Sequence, residues 1–195
     1  MNVQYIDKRE AIFQSTLELV QDNGFHGTPM SQVARLANVS VGTIYHYFES
    51  KEDLIMELYS YCKTKLMAYL FEGLAHDNHS YEHEFKIIWK RFVQFYTLYP
   101  SYFRFMNQFY SSPFHEMERR MREINQTDED AKTIQGFLKL GSTNNKLRNI
   151  SIQLLCSAFT GVAVSFVKSI IFGKVSMDPQ QIDEMVDIVW TSIKA

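Results

Sequence analysis

Residues 28 to 54, TPMSQVARLANVSVGTIYHYFESKEDL, constrain the fold more tightly than any other stretch of the chain. They read as two short helices joined by a tight turn and followed by a third helix start. Pro29 suits a first helical position, where its missing N–H costs nothing, and Thr28 precedes it as N-cap. Val33, Leu36 and Ala37 then share one face at helical spacing. The turn is expected over residues 37 to 40, where Asn38 tolerates a left-handed backbone and Ser40 caps the next helix through its hydroxyl. In that helix Ile44 and Phe48 face inward. Val41, Gly42, Thr43, Tyr45, His46 and Tyr47 are left outside, a surface of hydrogen-bonding and flat groups that suits a major groove.

The run ANVSVGTIYHYFESKEDL resembles the signature of the TetR (tetracycline repressor) family of bacterial one-component transcription regulators. The likeness extends upstream through Ile12, Leu19, Gly24 and Phe25, and downstream to Lys51 and Leu54. It is strong over residues 7 to about 55 and elsewhere rests on an all-helical pattern of suitable length. Asn38 stands where the family has a turn Gly, and Ser15-Thr16 replace a small Ala pair; neither change threatens the fold. The resemblance implies DNA contacts from Thr28, Ser40, Thr43, Tyr45, His46, Tyr47 and Lys51, with Val41 and Gly42 nearest the base edges. Hydroxyls donate to phosphate oxygens, and Lys51 adds a point charge beside a helix start. For Tyr45 and Tyr47 the competing reading is a packing role beneath the helix.

With 195 residues, 46% of them hydrophobic, the chain can bury a core, and only 8 Gly and 4 Pro interrupt it. Apolar residues recur at three and four, so an all-α fold is expected, without strands. A three-helix head (1–49, DNA-binding) precedes a bundle of about six helices (50–195, ligand-binding and dimerisation). The first helix spans about 7 to 21, with Asn23-Gly24 ending it. Ser50 with Asp53 opens a long helix. Further helices are expected over 81 to 99, 101 to 110, 113 to 140 with a break near 126 to 128, 147 to 172 and 179 to 194. Residues 141 to 145 read as a loop. Cys62 and Cys156 lie in apolar helical patterns, as reduced packing residues of a cytoplasmic protein do. The N-terminus lacks an apolar signal core, and the apolar run from Leu154 ends at Lys168, short of a span. No membrane association is expected.

Large flat groups are dense between 89 and 121. They suggest walls for a small apolar or aromatic ligand, which TetR-like bodies hold as inducer. The candidate lining is Tyr59, Cys62, Leu66, Trp89, Phe92, Tyr96, Phe103, Met106, Phe109, Tyr110, Phe159 and Phe166, with ordinary core as the alternative for each. In the last two helices Ser157, Gly161, Ser165 and Ser169 form a small-residue ridge, and Ile182, Met185, Val186, Val189, Trp190 and Ile193 an apolar stripe. The resemblance makes these helices a homodimer interface, with Ser157, Gly161, Ser165, Met185, Val189 and Trp190 as candidate contacts. Burial within the same chain is the alternative.

His76, His79 and His83, with Asp77 and Glu82, have donor types that a divalent metal uses, but they read as a solvated loop and helix start. No metal site or cofactor is assigned. No phosphate loop, G-x-S-x-G or H-E-x-x-H motif occurs, so no enzyme is expected. The expectation is a ligand-responsive homodimeric repressor of a palindromic double-stranded DNA operator. A metal-sensing regulator, and a ligand-binding helical protein without DNA readout, are the rivals.

Overall fold

The structure, a computed structural model, describes residues 7–74, 80–125, 133–173, 176 and 178–195. The helical periodicity is realised as ten helices among the described residues. These are α1 (Lys8–Asn23), α2 (Met30–Leu36), α3 (Val41–Tyr47), α4 (Lys51–Phe71), α5 (Tyr81–Leu98), α6 (Pro100–Tyr110), α7 (Pro113–Asn125), α8 (Ile134–Thr143), α9 (Ile152–Gly173) and α10 (Pro179–Ile193). The chain forms two compact units, Met1–Lys63 with Ser101–Gln126, and Thr64–Pro100 with Thr127–Ala195. Among the described residues seven helices follow the head, in keeping with the expected bundle of about six.

In the first unit, α1 starts at an Asp7 cap whose carboxylate accepts from the Arg9 N–H at 3.0 Å. It stops at Gly24, whose φ of 68° few other residues adopt. Ile12, Phe13, Leu17 and Val20 fill the core together with Val33, Ala34, Ile44 and Phe48. The compact unit extends beyond the head's own helices because α6 packs back on α1. Phe105 meets Phe25 edge-on at 5.6 Å, and the Gln108 amide donates to the Val20 carbonyl at 3.0 Å.

The second unit is built on α5, which packs against α9 and α10, while α8 packs against α9. Phe85, Ile88, Trp89, Phe92 and Val93 supply its buried face. Two surface ion pairs, Lys86 with Asp187 and Lys90 with Asp183, align α5 with α10. Residues 147 to 151, expected to start a helix, are not helical. Leu147 pairs with Lys194 in an isolated bridge, where the Arg148 N–H donates to the Ile193 carbonyl at 2.9 Å and the Ala195 N–H to the Lys146 carbonyl at 3.1 Å. This pairing satisfies groups beyond the end of α10 that a helix could not reach. The loop expected over residues 141 to 145 begins only at Asn144, since α8 continues to Thr143.

Candidate nucleic-acid interface

The turn between α2 and α3 is fixed by backbone geometry. Asn38 takes φ 53°, the Asn38 N–H donates to the Arg35 carbonyl at 3.3 Å, and the Val39 N–H to the Ala34 carbonyl at 2.9 Å. These are the two bonds of a Schellman stop, so Asn replaces Gly here without altering the turn. Ser40 then caps α3: its Oγ accepts from the Thr43 N–H at 2.9 Å and lies 2.8 Å from Thr43 Oγ1. Ile44 and Phe48 anchor α3 from beneath.

Opposite that anchor, Val41, Gly42, Tyr45, His46 and Tyr47 are exposed and Thr43 is half-exposed. His46 and Tyr47 meet edge to face at 5.7 Å. Lys51 lies in the first turn of α4, which starts at a capping pair: Ser50 Oγ accepts from the Asp53 N–H and Asp53 from the Glu49 N–H, both at 3.0 Å.

Thr28 corrects the sequence reading. Pro29, not Thr28, is the N-cap of α2, and the buried Thr28 hydroxyl donates to the Gly24 carbonyl at 2.8 Å. A carbonyl left over at the end of α1 has captured the group expected on phosphate. The sequence reading also missed Arg9. Its guanidinium pairs with Glu57 and lies over the rings of Phe13 and Phe48, at 5.3 and 5.9 Å from their centroids. Only its i to i+4 spacing from Phe13 signalled this. Over residues 1 to 53 the side chains carry four cations (Lys8, Arg9, Arg35, Lys51) against seven anions, a net of −3, and Arg9 is engaged inside the unit.

The aromatic candidates divide between the units. In the first, Tyr59 stacks on Phe109 at 4.1 Å, and Cys62, Phe103 and Met106 are buried. Burial pushes the Cys62 thiol far above its ordinary pKa, so it stays protonated and inert. Tyr110 is 52% exposed, its ring edge-on to His115 at 5.0 Å and to Tyr59 at 6.3 Å. In the second, Leu66, Trp89, Phe92, Tyr96 and Phe159 are buried and Phe166 is half-buried. The Trp89 indole donates to the Phe159 carbonyl at 3.1 Å.

The interface candidates also divide. Ser157, Gly161 and Ser165 are exposed along α9, and Met185 is half-buried. Val189 and Trp190 are 2% and 7% exposed because α10 turns them onto its own unit, Trp190 lying 5.2 Å from Phe85. They are core, and the exposed apolar position of α10 is Ile188. Of the imidazole group, His76, Asp77 and His79 lie outside the described residues; His83 opens α5, where its N–H donates to the Ser80 cap.

A short helix pair with a fixed stop, an anchored second helix and a polar outer face defines a helix-turn-helix head. Comparison with known proteins agrees with that class. Residues 12–58 match the family described as bacterial regulatory proteins, tetR family, and residues 80–194 match the tetracyclin repressor-like C-terminal domain. The chain belongs to the TetR family of transcriptional regulators. It is 40% identical over 48 residues to the fatty acid metabolism regulator protein of Bacillus subtilis, a stretch covering 25% of each chain. It is 29% identical over 107 residues to an HTH-type transcriptional regulator of Haemophilus influenzae, covering 55% of this chain and 57% of that one. The chain thus spans between a quarter and just over half of the length of these relatives. Among solved structures, a TetR-family regulator from Haemophilus influenzae superposes with a TM-score of 0.81 at 21% identity, covering 97% of both chains. FadR from Bacillus subtilis, in complex with stearoyl-CoA, gives 0.75 at 16% identity over 94% of this chain and 98% of that one. At such identities the likeness is one of fold.

Proposed function

We propose that this protein is a cytoplasmic, homodimeric repressor that binds a palindromic DNA operator and is released by a small apolar or aromatic ligand. The observation that carries the reading is the exposed face of α3, held on a stop and a cap that need no partner to form. Val41 meets a thymine methyl, Gly42 allows close approach, and Thr43, Tyr45 and His46 supply hydrogen bonds to bases or phosphates. The functional division falls at 49/50, the head reading DNA and the remainder holding ligand and partner. In vitro selection from random duplexes tests it: an enriched inverted repeat with half-sites about 34–36 Å apart is expected. Recovery of no preferred sequence at any salt would refute it.

The ligand's character follows from what is buried. Outside the head the buried side chains among the described residues are aliphatic and aromatic, and their polar atoms are few: the hydroxyls of Tyr59, Tyr96 and Tyr102, the Trp89 and Trp190 indoles and the Cys62 thiol. Such surroundings favour a guest that is mostly hydrocarbon or aromatic, since only a few polar groups are there to partner a desolvated one. A relative is named for fatty acid metabolism and a structural neighbour holds stearoyl-CoA, so long-chain acyl thioesters are the first probes. With a coupling of about 1–3 kcal/mol, saturating probe weakens operator binding about 5- to 150-fold, and operator weakens probe binding by the same factor. Equal probe affinity with and without operator would exclude that probe as effector.

The dimer is assigned to α9 and α10. The helix α9 is long and apolar enough to cross a membrane by length and composition, and 22% of its most apolar stretch is buried in the chain. Leu154 at 59% exposure, Ile188 at 62% and the open ridge at Gly161 are where we place the symmetry mate.

A further inference from the structure

Four polar side chains of the first unit, none of them used above, form one seam between α1, α4 and α6. The Tyr61 hydroxyl donates to Glu10 Oε1 at 2.7 Å. Gln14 Nε2 lies between two phenols, 3.2 Å from the Tyr102 oxygen and 3.4 Å from that of Tyr61. Beside them Phe13 packs on the Tyr61 ring at 4.9 Å, and one helical turn earlier Glu57 holds Arg9 against Phe48, the residue that ends α3. Burial, then the bond to the Glu10 carboxylate, pushes the Tyr61 phenol far above its ordinary pKa, so it stays a donor.

The position of the seam gives it meaning. The chain leaves the first unit at Lys63–Thr64 and re-enters it at Pro100–Ser101. Tyr61 stands just before the first crossing and Tyr102 just after the second, and both point their hydroxyls at the same glutamine of α1. The apolar contacts of α1 would tolerate small rotations, being non-directional. Hydrogen bonds of fixed length and angle do not.

We infer that Glu10, Gln14, Tyr61 and Tyr102 are positioning residues that set the angle of the DNA-reading head on α4 and α6, and thereby the half-site spacing the dimer accepts. The inference rests on the operator-binding reading above. Strain entering along α4 or α6 reaches the head through these bonds, together with the Arg9–Glu57 pair and the Gln108–Val20 bond, and breaking the seam loosens its angle while α3 keeps its own cap and turn.

The test uses the full chain and the operator recovered by selection, with versions whose spacer is lengthened or shortened by one base pair. The quantity read is the ratio of affinities for selected and altered spacing, which a loss of folded protein alone does not move. In Tyr61→Phe and in Glu10→Ala the ratio is expected to fall about tenfold, the factor carried by one hydrogen bond to a charged group. Glu10→Gln, whose amide oxygen still accepts, keeps the wild-type ratio. An unchanged ratio in folded Tyr61→Phe and Glu10→Ala overturns the inference. Should the tyrosine variant fail to fold, the two substitutions at exposed Glu10 decide alone. A wild-type chain that selects no DNA overturns the operator reading itself, and this inference with it.

Discussion

Gly141 is a residue whose missing side chain is occupied by a neighbour. A Cβ built there would lie 2.1 Å from the Tyr81 hydroxyl oxygen and 2.3 Å from its ring carbon. Tyr81 cannot swing aside cheaply, because its ring stacks on Phe137 at 4.6 Å and its hydroxyl donates to the Phe137 carbonyl at 3.1 Å. Gly141→Ala is therefore expected to lower stability by about 1–3 kcal/mol, read as a reduced melting temperature. An unshifted melt would show that α8 yields. The two threonines of the head separate in the same way. Thr28→Ala removes the bond to the Gly24 carbonyl and lowers stability by about 1 kcal/mol. Thr43→Ala leaves the melt nearly unchanged and lowers operator affinity. Equal effects of both on DNA binding would return Thr28 to the interface.

At the scale of elements, a distant side chain joins Gly73, at φ 74°, in closing α4. Arg91 on α5 donates to the Leu70 carbonyl at 3.0 Å and the Glu72 carbonyl at 2.6 Å, satisfying acceptors that the end of the helix leaves open. Arg91→Met keeps the aliphatic stem and loses both bonds, so a destabilisation of about 1–3 kcal/mol is expected in chemical denaturation. Such a cap is not legible in the sequence, since it joins residues about twenty apart that carry no shared pattern. Local signals were legible: the Asn38 turn, the Ser40 and Ser50 caps and the inward Ile44 and Phe48 follow from neighbours within four residues, and the structure has them all. Signals that depend on a third element were not. Gly141 reads as a breaker until Tyr81 arrives from α5, and Trp190 reads as interface until Phe85 covers it. Thr28 reads as a helix cap because nothing in its own segment reveals that Gly24 needs a donor. The exposed face of α3 was therefore legible almost whole, while for the aromatic and small-residue candidates of the remainder the residue types were legible and their orientations were not.

For the whole molecule the assembly prediction rests on open space. A Cβ at Gly161 meets nothing within 4 Å in its own chain, so Gly161→Leu is expected to leave the fold intact and to overpack the proposed contact with another copy. The dimer should weaken by about 1–3 kcal/mol, seen in sedimentation at low micromolar concentration. A variant that remains dimeric there would move the interface elsewhere. The charge of the head governs the other whole-molecule property. With a net of −3 and Arg9 held by Glu57, about two cationic contacts per subunit give a slope of log K against log salt of about −4. Lys51→Ala should flatten it by about 2, and a wild-type slope near −10 would mean that other cations meet the DNA. A regulator so poor in positive surface also experiences the chromosome differently. Bulk duplex ordinarily acts as a sink that ties up most copies of such a protein, and the slope predicted above would make that sink shallow. Few molecules per cell then suffice to keep one site filled. On the proposed operator reading, the same shallow sink shortens one-dimensional sliding, so a vacated site is expected to be regained through collisions from solution, and slowly where copies are few.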